Sequence, residues 1–100
     1  MSPVMPFAAP PESDGDAAII TVCYAVHAHV EPGVMPRILE LFAKRGLVPH
    51  KWRSTASPEA LAIEVQIAGL DRDVAAYIGR AMRQIVGVES VLSSEFRIAL

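Results

Sequence analysis

Residues 18–46 read AIITVCYAVHAHVEPGVMPRILELFAKRG, and within them the hydrophobic period changes once. From Ala18 to Val30 it is two. Ile20, Val22, Tyr24, Val26, Ala28 and Val30 share one face, and Thr21, Cys23, Ala25, His27 and His29 share the other. A wholly apolar face at period two marks a strand with one side buried. Pro32-Gly33 breaks the pattern. From Val34 to Arg45 the period becomes 3.6, with Met35, Ile38, Leu39 and Phe42 on one stripe and Arg37, Glu40 and Lys44 turned away. Pro36 is acceptable because a first-turn residue has no helical partner for its missing N–H. Gly46 is the expected stop.

The rest of the chain repeats the theme. Leu47 to Ala56 reads as a second strand, with Val48, His50, Trp52 and Ser54 on one face and Pro49, Lys51, Arg53 and Thr55 on the other. Proline and two cations suit a sheet edge, since Pro49 cannot donate to a ladder. After the turn Ser57-Pro58-Glu59, Leu61, Ile63, Val65 and Ile67 alternate with Ala62, Glu64 and Gln66 in a third strand. Asp71 is the expected N-cap of a second helix, with Asp73 in its first turn. Val74, Ile78, Ala81, Met82 and Ile85 form its apolar stripe, which ends near Gly87. Val88 to Leu100 is a last strand, with Phe96, Ile98 and Leu100 alternating at its end. Right-handed crossovers in this βαββαβ order lay both helices on one face. The expected class is therefore α+β: a ferredoxin-like two-layer sandwich with a four-stranded antiparallel sheet.

Residues 1–17 form a different region. Pro3, Pro6, Pro10 and Pro11 deny it helix, and the acidic stretch Glu12 to Asp16 denies it a core, so a disordered arm is expected before a domain spanning 18–100. The alternative is that Val4, Met5 and Phe7 dock on a partner.

Composition narrows the function. One hundred residues make one domain with one core. Hydrophobic residues reach 52%, which suggests a well-filled core or an apolar surface that a partner covers. Nine Lys+Arg against eleven Asp+Glu leave no basic field for a nucleic acid. No apolar run approaches the ~20 residues that span a bilayer, and no signal peptide opens the chain. Cys23, the lone cysteine, cannot form an internal disulfide. A cytoplasmic location fits.

The stretch Val30-Glu31-Pro32-Gly33-Val34-Met35, followed by Arg37-Ile38-Leu39-Glu40-Leu41-Phe42-Ala43-Lys44-Arg45-Gly46-Leu47, resembles the ACT domain, whose first strand ends near Asn-x-Pro-Gly and whose first helix ends Leu-Phe-x-x-Arg-Gly. Met82-Arg83-Gln84-Ile85-Val86-Gly87-Val88-Glu89-Ser90-Val91 is similar to the corresponding ending in acetolactate synthase small subunits. The resemblance implies a small amino acid bound beside the first turn, between paired domains. Val30, Glu31, Pro32, Gly33, Val34 and Met35 would form that site, with Val48 from the start of the second strand. It also implies a homodimer joined through a sheet edge, a thiamine-dependent catalytic subunit as partner, and a role in branched-chain amino acid biosynthesis. A free-standing module that senses a metabolite for another protein is the alternative. Two departures weaken the site. Val30 and Val48 stand where the family has asparagines, and valine cannot make an amide's hydrogen bonds. Pro32-Gly33 can equally be read as a tight turn and nothing more.

Other chemistry is thinly supported. His27 and His29 lie about 7 Å apart along a strand, with Cys23 farther still, short of the three or four ligands zinc takes. Cys23 has no adjacent base and reads as a small hydrophobe. Trp52 between Lys51 and Arg53 could stack a base, but an RNA-binding sheet uses two or three aromatics. An acylphosphatase-like loop would need an arginine where Glu31-Pro32-Gly33 stands. No acid–base or nucleophile–base pair suggests catalysis, so neither catalytic residue nor metal nor cofactor is expected.

Overall fold

The computed structural model describes residues 19–96. The expected arm, Ala18, Ile98 and Leu100 lie outside that range.

Six elements follow in the expected order: β1 Ile19–Ala28, α1 Val34–Ala43, β2 Lys51–Ala56, β3 Leu61–Asp71, α2 Arg72–Arg83 and β4 Val88–Phe96. The sheet order is β2-β3-β1-β4, so the most apolar strands are central and β2 and β4 are the edges. All three neighbouring pairs are antiparallel. One core lies between the sheet and the two helices, built on Ile20, Val22, Tyr24, Val26, Ile38, Phe42, Ile63, Val65, Ile67, Ile78 and Met82. The fold is the expected ferredoxin-like βαββαβ sandwich.

Several boundaries and faces differ from the sequence reading. β1 stops at Ala28, leaving Val30 outside the strand and 48% exposed. α1 presents Val34, Ile38 and Phe42 to the core, at i, i+4 and i+8, while Leu39 is exposed. A stripe roughly 100° wide can lean either way, and packing on the sheet selects Val34 over Leu39. α1 ends at Ala43, and Gly46 at φ +69 then lets Leu47 N–H donate to Phe42 C=O at 2.9 Å, the bond that closes a glycine-stopped helix. β2 begins only at Lys51, so Pro49 precedes the edge strand.

Two glycines shape the second half. Opposite Thr21, β3 carries two residues, Ala68 and Gly69, between the pairs Val22–Ile67 and Ile20–Leu70. Gly69 takes φ +74 in this bulge. The bulge takes up the extra residue, so Leu70 keeps the buried face and Asp71 reaches the start of α2. There the Asp71 carboxylate accepts from Asp73 N–H at 2.8 Å and Val74 N–H at 3.4 Å, the expected cap. Gly79 lies in mid-helix, where a Cβ would sit 3.5 Å from Tyr24 Cε1. The Tyr24 ring thus passes close over α2, and its hydroxyl donates to Ala75 C=O. The buried stripe of α2 is Ala75, Ile78, Gly79 and Met82, with Val74 and Ile85 packed at its margin.

Candidate functional site

The connection from β1 to α1 is a tight, internally bonded turn. Glu31 N–H donates to His29 C=O at 2.9 Å, and Val34 N–H to Glu31 C=O at 3.2 Å. His29 N–H donates to Gly87 C=O at 2.8 Å, tying the turn to the segment between α2 and β4. Gly87, at φ +99, faces the Glu31 carboxylate and the Val34 side chain. Glu89 is the residue that bulges from β4 where its register with β1 shifts, and its carboxylate lies 3.2 Å from His29 Nε2.

The sequence-derived residues divide sharply by accessibility. Val34 is fully buried under the turn, so its side chain belongs to the core. Val30, Glu31 and Pro32 are exposed, with Gly33 and Met35 intermediate. Gly33 has φ −80 and ψ −11, an ordinary helical conformation. Its lack of a side chain therefore serves something other than backbone freedom. Few donors remain for a ligand in the first turn: Val34 N–H is used by Glu31, Arg37 N–H donates to Gly33 C=O at 3.3 Å, and Pro36 has none. Val48 is 83% exposed beyond the far end of α1. Ten helical residues separate it from the turn, about 15 Å. The structure does not bring Val30 and Val48 together within one chain.

Arg37 is exposed, as its periodicity pointed, and reaches back to this turn. Its guanidinium folds back over Gly33 and occupies the space a Cβ would take there. The only clue was the spacing of four, which puts residues 33 and 37 on one helix face.

The sheet face opposite the helices is open. Register places Cys23, Ala25, His27, Ala62, Glu64, Gln66, Lys51, Arg53, Thr55, Leu92 and Phe96 on it. Ala25 and Ala62 leave a shallow depression bordered by His27, Arg53, Thr55 and Glu64. Arg53 and Glu64 are 3.8 Å apart and well exposed, a weak pair. The Cys23 thiol donates to Glu64 at 4.0 Å. Burial, and then the Glu64 charge, push its pKa up from 9.0, which disfavours the nucleophilic thiolate. Trp52 pairs with Val65 and turns toward the core, whereas Lys51 and Arg53 lie on the open face. Aromatic and cations thus sit on opposite sides of β2, and the base-stacking arrangement is not formed. Among the described residues no group of three His, Cys, Asp or Glu could hold a metal ion, and no helix is long and apolar enough to cross a membrane.

A profile of the ACT-like domain matches residues 15–98. The chain belongs to the ACT-like domain family. The structure of the ACT domain from the GTP pyrophosphokinase of Chlorobium tepidum superposes with a TM-score of 0.68 at 13% identity, covering 77% of this chain and 100% of that one. The C-terminal domain of the MgtC protein from Mycobacterium tuberculosis gives 0.64 at 13% identity, over 86% of this chain and 94% of that domain. A homoserine dehydrogenase from Thiobacillus denitrificans gives 0.66 at 12% identity, over 90% of this ACT-like chain but only 19% of the enzyme. At such identities the likeness concerns the fold. No curated protein matches the chain. An ACT domain is a regulatory, small-molecule-binding module, and the described residues of this one fit a non-catalytic role.

Proposed function

We propose that this ACT domain works as a pair of copies, binds a small amino acid between them, and modulates an acetolactate-synthase-type enzyme of branched-chain amino acid metabolism. The observation that supports this reading most is the separation of the candidate site. The turn at residues 30–33 and Val48 lie at opposite ends of α1, so one chain offers two half-sites that only a second copy can complete. The exposed edges β2 and β4 are natural places for such pairing through the sheet. The link to a thiamine-dependent synthase rests on residues 82–91. Sensing of a metabolite on behalf of another protein is the second reading, consistent with the homoserine dehydrogenase that carries a domain of this fold.

The test begins with light scattering, which should give a dimer at micromolar concentration; a monomer would remove the shared site. The dimer is then titrated with valine, leucine and isoleucine and added to a thiamine-dependent synthase lacking its regulatory subunit. Binding is expected to be millimolar, because each missing asparagine removes about 1 kcal/mol of hydrogen bonding. A change in synthase activity supports the first reading. Amino-acid binding without any effect on the synthase favours the second.

A further inference from the structure

Gly33 and Arg37 need a joint explanation. At φ −80 the backbone of residue 33 accepts any side chain, so glycine is not required for the turn. What its missing Cβ provides is a seat for the Arg37 guanidinium, which lies against the bare Cα. The seat is not an ion pair. Among the described residues the ion pairs are His29–Glu89, Arg53–Glu64 and Arg72–Glu95, and none involves Arg37. The nearest acid in sequence on the turn, Glu31, is directed at Gly87 instead. A planar five-donor cation is thus held at the turn with its hydrogen-bonding capacity unspent by the described protein groups.

We infer that Arg37 is the specificity-determining residue of the turn site, taking the carboxylate of the ligand in its fork, and that residue 33 is glycine to hold it there. This rests on the amino-acid-binding reading above. It also accounts for how the site could do without asparagines at positions 30 and 48: a guanidinium supplies charge-assisted, bidentate donors to the same carboxylate. The ligand class is accordingly a small molecule with a free carboxylate.

The test uses the full chain, labelled with nitrogen-15, titrated with L-valine and with L-valinamide, which lacks the carboxylate. Valine should move the Gly33 amide and the Arg37 Nε–Hε signals together and saturably, and valinamide should bind about tenfold more weakly or not at all. Arg37→Ala and Gly33→Ala should each weaken valine by about tenfold, and the double variant should be no weaker than Arg37→Ala alone. Arg37→Lys, which keeps the charge and loses the fork, should fall between. Gly33→Ala displaces only the far end of a flexible side chain, so neither single variant should unfold at a lower urea concentration than the unaltered chain. A merely structural arginine would lower that midpoint in Arg37→Ala and leave the valine-to-valinamide ratio alone, which would overturn the inference. Equal binding of the two probes, or unchanged affinity in Gly33→Ala, would overturn it too. If the unaltered chain binds neither probe, the amino-acid-binding reading fails first and this inference falls with it.

Discussion

Tyr24 offers a sensitive probe of how the two layers are joined. Its side chain is fully buried, its ring meets Phe42 at 6.3 Å between centroids, and its hydroxyl donates to Ala75 C=O in α2. Tyr24→Phe keeps the ring and removes only the hydroxyl. The Ala75 carbonyl keeps its place in the helical ladder, so the loss at neutral pH should be that of one net hydrogen bond, about 1 kcal/mol. The larger signature lies in pH. Burial pushes the Tyr24 pKa up from 10.0 to about 12, so the folded chain retains a proton that the unfolded chain gives up. The sign is fixed: this stability is fully present below about pH 10 and is lost as pH rises through about 12, at most roughly 3 kcal/mol. Cys23, also raised by burial and by Glu64, declines in the same direction, so the comparison belongs in a Cys23→Ala background. Urea unfolding at about pH 8 and about pH 11 measures the difference. The tyrosine chain should lose more stability over that interval than the phenylalanine chain. Equal declines would show that Tyr24 does not hold its proton through burial in this core.

Three further outcomes are expected. Gly69→Ala should destabilise by about 1–2 kcal/mol in urea unfolding, because residue 69 sits at φ +74 and an added Cβ meets nothing that could offset the strain. Asp71→Ala should cost about 1 kcal/mol by thermal or urea unfolding, since it strips the acceptor from Asp73 and Val74 N–H. Gly33→Ala should leave stability unchanged or raise it by about 0.4–1 kcal/mol, in contrast to Gly69→Ala, because its backbone is already helical.

Much of the fold was legible in residue order because alternation and helical spacing are local signals. The apolar face of β1 from Ile20 to Ala28, the alternating run Leu61 to Ile67, the Asp71 cap and the Gly46 stop could all be read from neighbours in sequence. What escaped depended on partners far along the chain. Leu39 and Val34 are equivalent on an isolated helix, and only docking against the sheet separates them. The bulge at Ala68-Gly69 exists relative to β1, so nothing within β3 announces it. Gly79 in mid-helix has no local reason, because the Tyr24 ring that lies beside it comes from β1. The candidate site was legible as a turn, but not as an arrangement. Sequence grouped Val30 with Val48 for a site between paired domains, and α1 sets the two at opposite ends of one chain; it turned Arg37 to solvent, where it is exposed, without showing that its guanidinium reaches back over Gly33.

The bulge in β3 also sets what kinds of change this chain can absorb. Along a strand, inside and outside are a matter of odd and even, and Ala68-Gly69 switches the count once between Ile67 and Leu70. Loss of either residue there would leave Thr21 with one partner and Leu70 still inward, whereas loss of both would turn Leu70 outward and Asp71 inward. The core would lose a large side chain and α2 its cap in one event. Substitutions along the outer face of the sheet carry no such penalty. Descendants of this sequence should therefore vary freely in composition at positions such as Thr55 or Gln66, and a one-residue shortening of β3 should fall at Ala68-Gly69 rather than between Leu61 and Ile67. Changes in length belong instead to the turn at Ser57–Ala60, whose bonds close within four residues and bear on no face of the sheet.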